Sequence, residues 1–287
     1  MSMRVERTGS GALGAGQPAT SPGPVAERVP RPGRLRRWEP LLWSGGSVVV
    51  FVVAWQLVTQ ARLVPALFLP APTEIAQAMV QMLQDPTIWV DLETSGAEFM
   101  LGYLLAIATG LPLGLLAGRY LRLAWALDPF IAFFYSMPRI ALVPLLIIWF
   151  GIGIYSKVAV VFLGAFFPIL INTMAGIRSL DPALMRAARS FGARELQLFW
   201  TIALPGSVPF ILTGLRLGIG HALVGVVVGE LIAAQHGIAQ RMSVAGTLFQ
   251  VPTMFAALII ISSSGVVLTL VLQRLERRFD AWRPQGR

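Results

Sequence analysis

Residues 180–205 read LDPALMRAARSFGARELQLFWTIALP and form a polar interval between two long apolar segments. Asp181 is a favourable helix N-cap, and Pro182 suits the first position of a helix. Gly192 is typical of a helix that ends in a left-handed residue. We therefore expect a helix, a turn at Gly192 and a second helix that stops near Pro205.

The first of these predicted helices is amphipathic. Its apolar residues follow the spacing i, i+3, i+4 and i+7 and share one face; they are Leu184, Ala187, Ala188 and Phe191. Arg186 lies away from this face. An apolar helical face outside the bilayer needs a partner that covers it. A groove on another protein and a layer of lipid headgroups both meet this need, and periodicity alone does not choose between them.

The composition is that of an integral membrane protein. Of the 287 residues, 55% are hydrophobic and 13% are charged, and the mean hydropathy is +0.70; soluble domains contain about 25% charged residues. Cys is absent and His occurs only at His221 and His236, which excludes a disulfide framework, a thiol nucleophile and a His-rich metal site. We attribute the net charge of +9 to cytoplasmic loops and not to nucleic-acid binding.

Six segments are apolar and long enough to cross a bilayer as helices, which predicts an all-α fold. They cover residues 41–58, 99–118, 123–150, 158–177, 208–234 and 254–275. The third segment contains Pro129, Pro138 and Pro144, and each proline removes a backbone hydrogen-bond donor. It is therefore a bent or broken crossing, or two short helices that would raise the count to seven or add a re-entrant piece.

Basic residues predict the orientation of the chain. With the N-terminus in the cytoplasm, the cytoplasmic segments hold 18 of the 23 Lys and Arg residues, as the positive-inside rule requires. Six crossings then place both termini in the cytoplasm. The predicted organisation is a disordered basic tail over residues 1–40, a transmembrane domain over residues 41–280 that includes the loop 178–205, and a short tail over residues 281–287.

Polar residues within the predicted spans are candidates for a solute pathway, because a charge at bilayer depth costs roughly 2.5–3.5 kcal/mol on insertion scales. Met137, Pro138 and Arg139 lie in the interrupted segment, where non-helical backbone is tolerated if it lines a cavity or is buried in protein; lining of the pore is one of these two alternatives. On the fifth segment, Arg216 would offer positive charge to an anionic solute and Glu230 would shape an outer gate. His221 lies one turn beyond Arg216. Each of these three has the alternative of a structural contact between helices.

Small residues of the fifth segment suit a close approach of another helix; they are Gly214, Gly218, Gly220 and Gly225. They indicate either a dimer interface or a narrow path.

The 180–205 interval resembles the loop motif of ABC-importer permease subunits, in which Glu-Ala-Ala, three residues, Gly, nine residues and Ile-x-Leu-Pro follow one another. This chain has Ala187-Ala188, Gly192 and Ile202-x-Leu204-Pro205 at the matching intervals, and it departs in having Arg186 where the family usually has Glu. About residues 65–280 are similar to the nitrate, sulfonate, taurine and bicarbonate branch. The matching stretches include residues 69–72, 110–114, 137–144 and 149–153.

The resemblance implies a type I importer permease in a bacterial plasma membrane. The permease subunit would not itself be an enzyme. Two copies would form the pore, two cytoplasmic ATPases would bind the loops, and an extracytoplasmic binding protein would deliver a sulfonate, nitrate, taurine or similar anion. The coupling residues would be Leu184, Arg186, Ala187, Ala188, Phe191, Gly192, Leu204 and Pro205. The sequence has no phosphate-binding loop, so ATP and Mg would belong to the ATPase and this chain would hold no cofactor. The alternative is an autonomous channel or secondary transporter.

Overall fold

The computed structural model describes residues 39–276, and over this range the chain is built from helices without a strand. The predicted tails lie outside the described residues, apart from the first two residues of the first helix. The α-helices are α1 (Glu39–Gln60), α2 (Pro72–Gln84), α3 (Thr87–Arg119), α4 (Leu121–Ser136), α5 (Val143–Phe150), α6 (Ile154–Arg178), α7 (Pro182–Ser190), α8 (Glu195–Leu198), α9 (Leu204–Ala233), α10 (Ile238–Thr247) and α11 (Val251–Glu276).

Five of the described helices are long and apolar enough to cross a membrane, and a bent pair completes a sixth span. The five are α1, α3, α6, α9 with the short turns before it, and α11. The pair is α4 with residues 139–150, which meet at an angle of 92°. The predicted six-span all-α fold is therefore confirmed, and the third segment takes the broken form that its prolines allowed.

The break lies at Met137 and Pro138, whose backbones are extended. A proline disfavours helical backbone at the residue before it, so α4 ends at Ser136. A short 3₁₀ turn, Arg139–Leu142, then leads into α5.

One expectation for the 180–205 interval is wrong. The second helix does not stop near Pro205; α8 continues through a π-helical turn, Phe199–Ala203, directly into α9. Proline cannot donate the hydrogen bond that a regular turn needs at Pro205, and the chain leaves α-geometry in the turn just before it. The loop and the fifth span are thus joined by a continuous bent helix.

The chain forms two units, residues 1–51 and residues 52–287. The described part of the first is the beginning of α1, whose apolar side chains from Leu42 onward are exposed. In the second unit α6 is central and packs along both α3 and α9. The core between these three helices is formed by residues such as Tyr103, Val161 and Ile219.

Glycine permits the close packing of α9 on α6. A methyl group added at Gly225 would lie 2.9 Å from the Cα of Val161, and one added at Gly214 would lie 3.1 Å from the backbone oxygen of Pro168. Gly218 also faces α6, whereas Gly220 faces open space. Three of the four glycines that sequence analysis assigned to a dimer interface or a path therefore serve a contact within the chain.

A second apolar core joins α2, the beginning of α3, α10 and α11, and includes Ile75, Ile88 and Ile238. A third, smaller core seats α5 on α6 through Val143, Leu146 and Val160. These contacts fix the broken span and α10 relative to the central helices.

Candidate functional site

The local signals of the 180–205 interval are confirmed. The Asp181 carboxylate accepts a hydrogen bond of 2.7 Å from the backbone N–H of Ala183, which caps α7. Gly192 has a φ of +82°, the left-handed conformation that a residue with a Cβ rarely adopts. The N–H of Gly192 donates to the Arg189 oxygen at 2.9 Å and closes the helix end.

The apolar face of α7 has no cover within the described part of the chain. The Phe191 side chain is 93% exposed and Leu184 is 52% exposed. Ala187 is exposed and Ala188 is half-buried on the same side. A phenylalanine this exposed at the end of an ordered helix indicates a surface that another molecule covers.

The residues after Gly192 anchor the loop instead. Leu198 is fully buried and Ala203 is nearly so, while Leu204 and Pro205 are half-buried at the beginning of α9. The structure therefore divides the predicted coupling residues into an exposed group around α7 and an anchoring group at the base of the fifth span. Arg186 is exposed on α7.

An ion-pair group that sequence analysis missed ties this loop to the end of α3. Glu195 accepts hydrogen bonds from Arg119 at 2.8 Å and from Arg189 at 2.9 Å. Arg119 and Glu195 are 76 residues apart, so no local spacing signalled the contact.

The broken span, α6 and α9 line an open cavity of about 420 Å³ in the second unit. Three of the predicted pathway residues, Met137, Arg139 and His221, line it together. The Arg139 guanidinium lies 3.2 Å from His221 Nδ1 and 5.9 Å from the centre of the Tyr135 ring. No acidic side chain lines this cavity, and none in residues 39–276 forms an ion pair with Arg139.

The other two predicted pathway residues lie elsewhere. Arg216 pairs with Glu276 of α11 at 2.5 Å. Glu230 is 1% exposed and accepts hydrogen bonds from Ser95 Oγ at 2.5 Å and from the N–H of Ala239 at 2.7 Å. Both contacts correspond to the structural alternative considered for these residues.

A polar network at the beginning of α10 was not predicted. Arg241 donates to Asp85 and to Asp91, each at 2.8 Å, and to Thr87 Oγ1 at 2.6 Å. Asp91 also accepts from the N–H of Gly237 at 3.0 Å. The hydrogen bond from Arg241, with those from Thr87, lowers the pKa of Asp85 to about 2.

A buried ion pair joins Lys157 of α6 to Glu98 of α3 in the second unit. Both side chains are buried. The sequence places Lys157 near the start of a span and Glu98 just before another, but spacing alone does not show that they meet.

The chain has the features of a membrane permease subunit. It has six spans, an uncovered amphipathic helix between two of them, and a cation in a cavity beside a broken span. Residues 110–281 match the family described as "Binding-protein-dependent transport system inner membrane component", and the chain belongs to this family.

The chain is 34% identical over 244 residues to the taurine transport system permease protein TauC of Escherichia coli, with 83% of this chain and 89% of TauC covered. It is also 34% identical to the aliphatic sulfonates transport permease protein SsuC of Bacillus subtilis, with 88% and 91% covered. The riboflavin transport system permease protein RibX of Chloroflexus aurantiacus is likewise 34% identical, with 90% and 97% covered.

Among solved structures, the chain is similar to a chain of the MetNI methionine ABC transporter in an inward-facing conformation. The TM-score is 0.57 at 19% identity, and 70% of this chain and 99% of that chain are covered. This likeness supports the fold.

The chain is thus a permease subunit of an ABC importer in the inner membrane, which works with ATPases and a binding protein and is not itself an enzyme. The importer prediction is confirmed over its alternative, an autonomous transporter or channel.

Proposed function

We propose that this chain forms the pathway for a small organic anion of the sulfonate class and that Arg139 binds the anionic group. The observation that carries the proposal is the Arg139 guanidinium in the cavity between the broken span, α6 and α9, without an acidic partner among the described residues. A charge at this depth is costly unless it is paired, and a transported anion is a suitable partner.

The chemistry of Arg139 suits a sulfonate. A guanidinium has five N–H donors in a planar fork and binds oxyanions through two parallel hydrogen bonds. His221, 3.2 Å from Arg139, orients one side of that fork. The relatives TauC and SsuC are named for taurine and for aliphatic sulfonates, which share this group.

The walls of the cavity favour an anion with an apolar body. Met137, Ile140, Val224 and Val228 supply aliphatic surface for an alkyl chain. Taurine carries an ammonium group as well, and no carboxylate lines the cavity to receive it. The Tyr135 ring is already in contact with Arg139. We therefore rank a simple alkanesulfonate above taurine as the solute.

The assembly we propose has two copies of this chain, two ATPases and one extracytoplasmic binding protein, with both termini of the chain in the cytoplasm. ATP and Mg would be bound by the ATPases, and this chain would hold no cofactor. The uncovered face of α7, with Leu184 and Phe191, supports docking of each α7 into an ATPase groove. The continuous bent helix from α8 into α9 would carry motion of the docked loop to His221 and the cavity.

The test is uptake of labelled alkanesulfonate into liposomes that contain the complete importer with its binding protein. Arg139→Gln removes a charge-assisted contact worth about 1.5–3 kcal/mol, so uptake should fall by roughly ten- to a hundredfold. Arg62→Gln, which removes a charge from the connection between α1 and α2, is the matched control and should leave uptake unchanged. Wild-type uptake by the Arg139→Gln variant would contradict the proposal.

A further inference from the structure

A second cavity, of about 670 Å³, lies where three spans meet the 180–205 interval. Its walls come from the end of α3, the end of α6, the helices α7 and α8, and the π-helical turn that leads into α9. The positive-inside rule places these span ends, with Arg119 and Arg178, at the cytoplasmic surface of the membrane. The cavity is separate from the cavity of Arg139, and no solute role was assigned to it.

The charge of this second cavity is strongly positive. Arg119, Arg186 and Arg189 line it together with one acid, Glu195. Glu195 already accepts hydrogen bonds from Arg119 and Arg189. No acidic side chain in residues 39–276 forms an ion pair with Arg186. Three cations against one anion leave an excess of two positive charges, and Arg186 is the one without a partner in this range.

The sequence departure at Arg186 creates this excess. Permease subunits of the resembling family usually have Glu at this position of the loop. With Glu there, the cavity would contain two arginines and two acids and would be neutral. The substitution therefore converts a balanced cavity into a site for an anion.

The remaining walls include apolar side chains from the ends of the spans. Ile177, Leu180 and Phe199 form one side of the cavity. Tyr120 lines its rim, is half exposed, and has its ring 5.5 Å from the Arg119 guanidinium carbon. Aromatic residues with one polar end concentrate where headgroups lie. A free cytoplasmic ion has no need of this apolar wall, whereas a lipid has both a charged group and an acyl chain.

We propose that this cavity binds the phosphate headgroup of an anionic phospholipid of the cytoplasmic leaflet, with Arg186 as the principal ligand. Basic pockets between spans on this side of a membrane bind such headgroups. The lipid would brace α7 against the ends of α3 and α6 and so hold the loop in the position that an ATPase engages. This inference concerns the loop and does not depend on the identity of the solute.

The test is native mass spectrometry of the full chain, purified in a neutral detergent to which phosphatidylglycerol or phosphatidylcholine with the same acyl chains has been added. The measured quantity is the amount of each lipid that stays bound when the detergent is removed. The wild-type chain should retain phosphatidylglycerol selectively. Arg186→Gln should lower this retention about fivefold, the effect of one cation at a membrane surface. Arg194→Gln removes the same charge from an exposed position of the loop that does not line the cavity, and it should retain the lipid as wild type does.

Equal retention of the two lipids, or equal losses in the Arg186→Gln and Arg194→Gln variants, would overturn the proposal. A separate thermal-shift arm uses inorganic phosphate alone; stabilisation by phosphate that matches stabilisation by phosphatidylglycerol would assign the site to a free anion and overturn the lipid assignment. A thermal unfolding midpoint of Arg186→Gln equal to that of wild type in lipid-free detergent ensures that a loss of lipid reflects the site and not the fold.

Discussion

Two regions of the second unit differ in how far the chain itself provides partners for their side chains. Around the beginning of α10, Glu230, Asp91 and Arg241 are each bound by partners from other helices of the same chain. In the cavity beside the broken span, Arg139 contacts His221 and the Tyr135 ring and forms no ion pair within residues 39–276, and the Phe191 side chain at the end of α7 is exposed. Groups that the chain satisfies by itself hold the fold, whereas the groups that it leaves uncovered are the ones for which we propose a contact with solute, ATPase or lipid.

Among the groups that have partners within the chain, we expect the buried ion pair of Lys157 and Glu98 to contribute most to stability. Lys157→Met leaves the Glu98 carboxylate buried without its partner, and such losses typically cost about 3–5 kcal/mol. We expect a large fall in the yield of folded protein and in the thermal unfolding midpoint. The double variant Glu98→Leu with Lys157→Met removes both charges and should recover most of the loss. A double variant as unstable as Lys157→Met would show that packing, and not the ion pair, governs the site.

Substitutions on the uncovered face of α7 should change the activity of the importer and leave the stability of the permease unchanged. Phe191→Asp places a charge at the C-terminal end of the uncovered face of α7, and we expect it to abolish solute-stimulated ATPase activity of the assembled importer. A residue of this kind at an interface contributes about 2 kcal/mol or more, which is roughly a thirtyfold change in docking. The yield of folded permease should stay at the wild-type level, because no described residue covers Phe191.

Ser190→Asp is the matched control for this experiment. Ser190 is exposed, precedes Phe191 directly and lies off the apolar face. The variant therefore adds the same charge and removes no apolar side chain; it loses only the hydrogen bond of 3.2 Å from Ser190 Oγ to the Arg186 oxygen. Normal stimulation in Ser190→Asp and none in Phe191→Asp would support docking through the face. Normal stimulation in both variants would sink the docking role of α7.

Glycine packing gives a smaller and matched comparison within one helix. Gly225→Ala would bring a methyl group to 2.9 Å from the Val161 Cα, where backbone cannot yield easily, and overpacking of this kind costs about 1–3 kcal/mol. Gly220→Ala meets open space and should stabilise α9 by up to about 1 kcal/mol, the difference in helix propensity. Thermal unfolding in detergent measures both. Similar effects of the two substitutions would show that α9 does not pack on α6 as described.

The features that could be predicted from sequence are the local ones. Capping by Asp181, the left-handed end at Gly192 and the break beside Pro138 all depend on a few neighbouring residues. The span count followed from the length of apolar segments. The motif spacing predicted the family, and the presence of Met137 and Arg139 on non-helical backbone predicted a cavity that the structure does form.

The features that could not be predicted depend on pairing over long distances. Arg241 and Asp91 are 150 residues apart, and hydrophobic periodicity carries no information about which charges meet. For the same reason the sequence left open whether Glu230 faces a gate or another helix. The π-helical turn before Pro205 was missed because proline at a first helical turn and proline after a helix end give the same local signal.

The smallest expected effect is the pH dependence of stability that comes from the contact between Asp85 and Arg241 of α10. Hydrogen bonds from Arg241 and Thr87 hold the pKa of Asp85 at about 2, below its ordinary value of 3.8. A carboxyl with a lowered folded pKa stabilises the fold above its ordinary pKa, and this contribution disappears as the pH falls through about 2. Asp85→Asn should therefore lower the thermal unfolding midpoint slightly at neutral pH, and the effect should shrink as the pH falls towards 2 and vanish below it. Because Asp85 is partly exposed to solvent, the difference should be small and should shrink with added salt. Glu93→Asn, which removes an acid of α3 that forms none of these contacts, should show no such convergence; an equal pH response in both variants would mean that net charge, and not the contact with Arg241, sets the effect.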